Sequence, residues 1–419
     1  MTTPTTDRDL RPLGAFERTI DLYAQRNPVQ FSVAVQLARD VTESDLAAAL
    51  ERLQEAHPLV AAEIGQSVAE GEEQSTQVFR RSDRPIPIRL ARGSTWQHEA
   101  AVEQTIPIRT TPGPLVRSVL IPAAGAGSST GILLTFAHQI ADGRGALIAV
   151  ADLAASLGGT RLSRGPVPEP QEQLVAVGPP IDDTASDTHG ADLAVENTSE
   201  QSQTPAGRLR PFDGDLPTLQ AAELTTEQTR LLVRRAREES CTVQAALCAA
   251  AAAALFAQTE LSRVRINVPI DLRSVIDGHR DVGIRFIGAT VTLDRGLGIS
   301  FWEAARAAAG QLQSARRPQA LRAAALGLAQ VAPTTPAEAE AAMLAATTAD
   351  IEITNLGVVE MDQATAVWGP TMTTQVENEQ ILGVVTHGDA LRMVNTTRAP
   401  IEGLTTHISR ALASAVSED

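Results

Sequence analysis

The run Gly131-Ile132-Leu133-Leu134-Thr135-Phe136-Ala137-His138-Gln139-Ile140-Ala141-Asp142-Gly143-Arg144-Gly145 decides the fold. Its first seven residues are almost wholly apolar, the pattern of a strand buried on both faces. A histidine closes the strand. Asp142 and two glycines mark a tight turn, and Gly143 to Leu157 reads as a helix. A strand ending at such a turn places His138 at the rim of a sheet, where ligands of α/β proteins are met. An imidazole with an ordinary pKa near 6.5 suits proton abstraction at neutral pH. Asp142 reads as a shaper of the loop, which requires a cationic or N–H partner. H-x-x-x-D alone is expected by chance roughly 0.4 times in this composition, and roughly 0.03 times with a following glycine.

Outward from this run, strands and helices interleave. Phe31 to Leu37 alternates as a strand does, and Thr42 with Asp45 opens a helix that stops at His57-Pro58. Leu115 to Ile121 reads as a strand. In the second half, Thr225 with Gln228 caps a helix through about Glu239, and Thr242 starts an alanine-rich one. Strands are expected at 263–270, 286–293, 351–353, 381–386 and 391–396. Helices are expected at 301–315, 319–330 and 336–347. Between Arg164 and Arg208 the chain holds eight acids, six prolines and no arginine. Residues 165–215 therefore read as an acidic, proline-rich linker or crossover, partly disordered, between an N-terminal lobe (1–164) and a C-terminal lobe (216–419).

The chain of 419 residues carries 35 basic and 50 acidic side chains, a net charge of −15, and 43% apolar residues. Two or three domains are the expectation at this length. Acidity without a basic block argues against nucleic-acid binding. All the basic residues are arginine, which excludes a lysine Schiff base or a P-loop lysine. Cys241 and Cys248 are too few for a disulfide scaffold or a four-thiolate zinc site, and lie about 10 Å apart along a helix, too far for a disulfide. The start MTTPTTDRDLRPLG has neither a basic nor an apolar signal region, and the apolar stretch Ala245–Ala257 is too short to cross a bilayer. A soluble, cytoplasmic protein with no membrane span is expected. No His/Cys cluster has metal-ligand spacing, so no metal is expected. His57 reads as a helix stop. Arg230, Arg234 and Arg237 share a helix face, a place for the phosphates of coenzyme A or an acidic carrier protein, or else a solvated face beside Glu238 and Glu239.

The segment His138 to Gly143, HQIADG, resembles the H-x-x-x-D-G motif of the condensation-domain-like acyltransferase superfamily. That superfamily includes chloramphenicol acetyltransferase, nonribosomal peptide condensation domains, plant BAHD acyltransferases and wax ester synthases. The chain is most similar to the polyketide-associated phthiocerol dimycocerosyl transferase family. Leu53 to Val60 resembles its helix end at HPxL, Val268-Pro269-Ile270-Asp271-Leu272-Arg273 its P-x-D-L-R segment, and Ile353-Thr354-Asn355-Leu356-Gly357 its (S/T)NLG strand end. They stand in the expected order across about 20–400.

The resemblance implies a mixed α/β (α+β) fold of two chloramphenicol-acetyltransferase-like lobes in a V, with a central tunnel and second-lobe elements crossing over the first. It implies His138 as general base for attack on an acyl thioester, without a covalent acyl-enzyme. Asp142, with Gly143 beside it, would be structural and paired with Arg273, while Thr354 and Asn355 would orient substrate or simply form a strand-end turn. The donor would be acyl-CoA or an acyl carrier protein, the acceptor an alcohol, and the product an ester of lipid, polyketide or other secondary metabolism. No metal or redox cofactor is implied, and a monomer is expected. Ala137 stands where condensation domains carry a first histidine, which favours the ester-forming branch. The D-F-G-W-G pattern of the plant enzymes is absent. Two alternatives stay open: a non-catalytic docking module and an amide-forming condensation enzyme.

Overall fold

The computed structural model describes residues 8–67, 75–125, 129–177, 207–276, 280–296 and 299–417. Up to the long connection the elements are β1 (Asp9–Pro12), α1 (Ala15–Ala24), β2 (Gln30–Leu37), α2 (Glu43–Ala56), β3 (Ala62–Ser67), β4 (Thr76–Arg81), β5 (Ile88–Leu90), α3 (Trp96–Glu103), β6 (Val116–Ile121), β7 (Thr130–Ala137), α4 (Gly143–Leu157) and α5 (Gln171–Val177). Beyond it come β8 (Thr218–Leu224), α6 (Thr226–Glu238), α7 (Val243–Gln258), β9 (Arg263–Asp271), β10 (Phe286–Asp294), α8 (Phe301–Ala315), α9 (Pro318–Gln330), α10 (Pro336–Thr347), β11 (Ile351–Val358), β12 (Ala364–Thr373), β13 (Ile381–His387), β14 (Ala390–Thr397) and α11 (Leu404–Ala415).

Three sheets result. One has the order β12-β2-β7-β6-β5, a second β10-β9-β11-β13-β14-β8, and a small third β1-β4-β3. β7 is buried at every position, because both faces of its sheet are covered. Ile132, Leu134 and Phe136 point to the core shared with α2 and α4, while Leu133 points to a smaller cluster with Trp96 of α3 and Trp368 of β12. The ends of α2 follow from local chemistry. Thr42 and Asp45 exchange reciprocal hydrogen bonds of 3.1 Å at its start, and His57 before Pro58 closes it.

The second sheet is covered on one face by the alanine-rich α7 with α8 and α11. The small side chains of α7 let its neighbours approach closely, and Ala245 to Ala252 are buried throughout. The other face of this sheet turns toward the first. Cys241 and Cys248 are both free thiols, and burial pushes that of Cys248 up to about 12. Among the described residues no single helix is long and apolar enough to cross a membrane.

β12 is the crossover element. It comes late in the chain yet pairs antiparallel with β2, at the edge of the first sheet. Gly369-Pro370 breaks its pairing between Trp368 and Thr371, as proline requires for lack of an N–H donor. The break brings Pro370 onto Gly383 of β13 so closely that a Cβ at 383 would lie 2.0 Å from the Pro370 carbonyl oxygen. The second sheet thus touches the first lobe backbone to backbone.

Of the stretch 165–215 expected as a linker, residues 178–206 lie outside the described residues, and so does His189. Its two ends are built into the fold. Arg11 Nε donates to the Pro168 carbonyl, and the Phe286 amide donates to the Gln171 side chain at 3.0 Å. Val175 of α5 packs beside Leu272 and Leu321. Leu209 bridges Val376. One buried apolar residue and a few hydrogen bonds hold α5 where composition alone indicated a loop.

Gly383→Ala should cost about 3 kcal/mol, since backbone rather than a movable side chain occupies the space. Gly310→Ala, inside α8 with nothing within 4 Å of a new Cβ, should stabilise by about 0.5–1 kcal/mol. Chemical denaturation of both variants checks the pair.

Candidate active site

β7 ends at Ala137, and His138 follows with its amide donating to the Val29 carbonyl at 3.3 Å. Its ring sits between Phe31, at 5.0 Å between centroids, and Phe286, at 5.8 Å. Phe286 comes from the second sheet, so the histidine stands where the lobes meet. Desolvation in this aromatic setting pushes the His138 pKa below its ordinary value, against the Asp142 charge and the His138 and Ala141 carbonyls, which act to raise it. The imidazole is therefore neutral near pH 7, the form that accepts a proton. Nδ1 is shut off from solvent and has no hydrogen bond of good geometry.

Asp142 is the N-cap of α4, 5% exposed, and it faces away from any role as a second base. Oδ1 accepts from the Gly145 amide at 2.6 Å and from Arg273 Nη2 at 3.2 Å. Oδ2 accepts from Arg273 Nη1 at 2.9 Å and from the Arg285 amide at 2.8 Å. Burial alone would raise the pKa of this carboxyl. The Arg273 guanidinium and the two amides overcome that and hold it below the ordinary carboxylate range. Arg273 in turn is desolvated, yet Asp142 and Asp271 raise its pKa further and keep it charged.

Gly143 and Gly145 stand at close approach, to the movable end of the Leu356 side chain and to the Gly283 backbone respectively. A Cβ at 143 would lie 2.3 Å from Leu356 Cδ2, and one at 145 would lie 3.1 Å from the Gly283 carbonyl oxygen. Both obstacles belong to the second lobe.

A cavity of about 800 Å³ opens beside the histidine. His138, Asp142 and Gly143 line it from the first lobe; Asn267, Phe286, Glu352, Thr354 and Asn355 line it from the second. Thr354 Oγ1 donates to Glu352 Oε1 at 3.0 Å, whereas Asn355 Oδ1 accepts from the Gly357 amide at 3.0 Å and shapes the strand end. Arg273 holds Asp142 behind this wall. The arginines of α6 lie elsewhere: Arg230 pairs with Asp389 at 2.6 Å, Arg234 reaches Glu238 at 3.8 Å, and Arg237 is exposed. None of the three lines the cavity. His57 pairs with Asp152 at 2.8 Å, between α2 and α4, and His387 lies between the Val359 and Ala364 carbonyls, both at 3.0 Å. Among the described residues no three His, Cys, Asp or Glu side chains converge as a metal site.

Sequence reading passed over two cavity residues. Arg285 is fully buried, with Nη2 on Asp281 at 2.8 Å and Nη1 on the Ile284 carbonyl at 2.7 Å. Its signal was available: a lone arginine within Val282-Gly-Ile-Arg-Phe-Ile. Glu352 offers the same signal between Ile351 and Ile353.

Arg273→Ala leaves Asp142 buried without its counter-charge, at an expected cost of about 3 kcal/mol. The sign with pH follows from the lowered Asp142 pKa. Its stabilisation is complete above the unfolded carboxylate pKa of about 3.9 and is lost as pH falls through the lower native value. Arg273→Ala should therefore unfold at a higher pH on acid titration than the wild type, read by circular dichroism.

The sequence matches no protein-family model and no curated protein. Solved structures match over nearly the whole chain. Polyketide synthase associated protein 5 from Mycobacterium tuberculosis is 15% identical, with 98% of this chain and 99% of that one covered and a TM-score of 0.64. The first condensation domain of the calcium-dependent antibiotic synthetase, in complex with a substrate analogue, is 15% identical over 99% and 98%, with a TM-score of 0.68. Trichothecene 15-O-acetyltransferase from Fusarium sporotrichioides is 13% identical over 97% and 95%, with a TM-score of 0.63. The chain has the two-lobed fold that condensation domains share with chloramphenicol-acetyltransferase-like acyltransferases.

Proposed function

We propose that this protein transfers an acyl group from a thioester, acyl-CoA or an acyl carrier protein, to an acceptor hydroxyl, with His138 as general base. The observation that carries the reading is His138, flanked by Phe31 and Phe286, in the wall of a cavity lined by both lobes. A hydroxyl is a weak nucleophile until its proton is removed, which is the task this imidazole suits. With Nδ1 shut away, the hydrogen of the neutral ring is assigned to Nδ1 and the accepting lone pair to Nε2. The acceptor oxygen attacks the thioester carbonyl carbon as its proton passes to Nε2, and a tetrahedral oxyanion forms. Collapse breaks the C–S bond, and the departing sulfur takes the proton back from the imidazolium. Ester and free thiol result, and the enzyme returns unchanged without a covalent intermediate.

In this reading Asp142, Gly143 and Arg273 are positioning residues. They fix the loop that presents the histidine without touching the reacting atoms. Thr354 lines the acceptor side and Asn355 shapes it. Arg230, Arg234 and Arg237 of α6 stand outside the cavity, as a docking face for the donor's carrier or coenzyme A or as a solvated face, which the Arg230–Asp389 and Arg234–Glu238 pairs favour.

Free-thiol release from a panel of acyl-CoA and acyl-carrier thioesters, with alcohol and amine acceptors, tests the proposal. Acceptor-dependent release is expected, and His138→Ala should lower it by roughly 10²–10⁴-fold. Equal rates in the two proteins would remove His138 as the base. Carrier binding without turnover across the panel would favour a docking module.

A further inference from the structure

β11 carries two chemistries on its two faces. Ile351 and Ile353 point into the second core with Ile266 and Val268 of β9. Glu352 and Thr354 point the opposite way, as alternate strand residues must, into the cavity. Glu352 stands in register with Asn267 of β9, and Asn267 with Thr290 of β10. A polar strip therefore crosses three strands of a cavity floor that is otherwise largely apolar.

The centre of this strip is an acid. Asn267 Nδ2 donates to Glu352 Oε2 at 2.8 Å, and Thr354 Oγ1 donates to Oε1 at 3.0 Å. A carboxylate offers about four lone-pair sites, so two remain for something else. Both donors are neutral. Among the described residues Glu352 forms no ion pair with arginine or histidine; of the arginines that line the cavity, Arg144 and Arg285 pair with Asp271 and Asp281. Arg316 is exposed on the α8 side of the wall. Gly288, without a side chain, leaves room beside Asn267, where a Cβ would lie 3.4 Å from Oδ1.

A buried carboxylate without a counter-charge is costly, and an apolar chain laid across it would strand it. Desolvation pushes the pKa of Glu352 up, ahead of the lowering from Thr354 and Asn267. Glu379, a second buried acid, is pushed up to about 7 by burial against hydrogen bonds from Thr374 and the Arg398 charge, and it repels Glu352. A ligand that brings positive charge to Glu352 holds its carboxylate ionised against that desolvation.

We propose that Glu352, supported by Asn267 and Thr354, is the specificity-determining anchor for the acceptor, and that the acceptor is a hydroxyl compound bearing an ammonium group. This rests on the acyl-transfer reading, with the hydroxyl presented to His138 and the ammonium hydrogen-bonded to Glu352. The hydroxyl end needs a base, and the cationic end supplies the charge the floor lacks. Glu352 is a positioning residue in that scheme; it takes no proton from the reacting oxygen.

The test uses acceptors of one chain length: an n-alkanol, the α,ω-diol and the amino alcohol. Thiol release by the full chain should favour the amino alcohol over the alkanol by tenfold or more in kcat/KM. Glu352→Gln should abolish that preference, and Glu352→Asp, which keeps the charge, should restore part of it. Melting temperatures confirm that each variant is folded. An alkanol preference in the wild type, or an amino-alcohol preference unaltered in Glu352→Gln, would overturn the proposal. Calorimetric binding of the amino alcohol without donor separates this claim from the base assignment. His138→Ala should bind it normally and Glu352→Gln tenfold or more weaker. Glu352-dependent binding with no turnover in any protein would sink acyl transfer but keep the anchor; binding independent of Glu352 would sink the anchor.

Discussion

One buried carboxylate receives hydrogen bonds from both lobes. Asp142 caps its own helix through the Gly145 amide, and it draws in the Arg273 side chain and the Arg285 amide from the second lobe. Arg273 lies just past the end of β9, and Arg285 just before β10. The same carboxylate thus fixes the turn after His138 and the ends of two strands across the cavity. Phe286, the next residue along, is thereby set beside the imidazole. Buried ion pairs seldom add much net stability, because desolvation consumes the Coulombic gain. What the pair secures here is placement: Arg273 ties the end of β9 to the loop after His138.

The rest of the interface is set by close approach. Pro370 of the crossover strand lies on Gly383, and Gly145 lies under Gly283. With backbones this close, the space left between the sheets is the cavity, and its chemistry is set by strand alternation. One face of β9 and β11 feeds the second core; the other supplies Asn267, Glu352 and Thr354 to the floor. At His138 two aromatic rings flank the imidazole, and its burial favours the neutral form. Farther along, the cavity floor is acidic.

Much of this was legible in the residues. The buried strand before His138, the capping boxes at Thr42 and Thr225, and the helix stop at His57-Pro58 are local signals, and local physics governs them. The elements that escaped notice depend on tertiary context. β12 carries Gly369-Pro370 in its middle, which speaks against a strand; only the edge position beside β2 and the break in pairing accommodate it. α1 begins at Gly14 without a side-chain cap, and Glu17, salt-bridged to Arg11 at 2.6 Å, takes over that task. Among site residues, His138 and Asp142 stand in a motif that spacing reveals. Glu352 and Arg285 interrupt apolar runs, which marks them as polar residues in strands, but nothing along the chain tells that the face they occupy lines a cavity.

The pH dependence of kcat/KM for thiol release, at saturating donor in wild type and His138→Asn, bears most directly on the assignment of His138 as base. The expected profile for the wild type rises to a plateau, with an ionisation below the ordinary imidazole value of about 6.5, as desolvation between Phe31 and Phe286 dictates. That limb should vanish in the variant. A flat wild-type profile, or the same limb in both proteins, would contradict His138 as the group that takes the acceptor's proton.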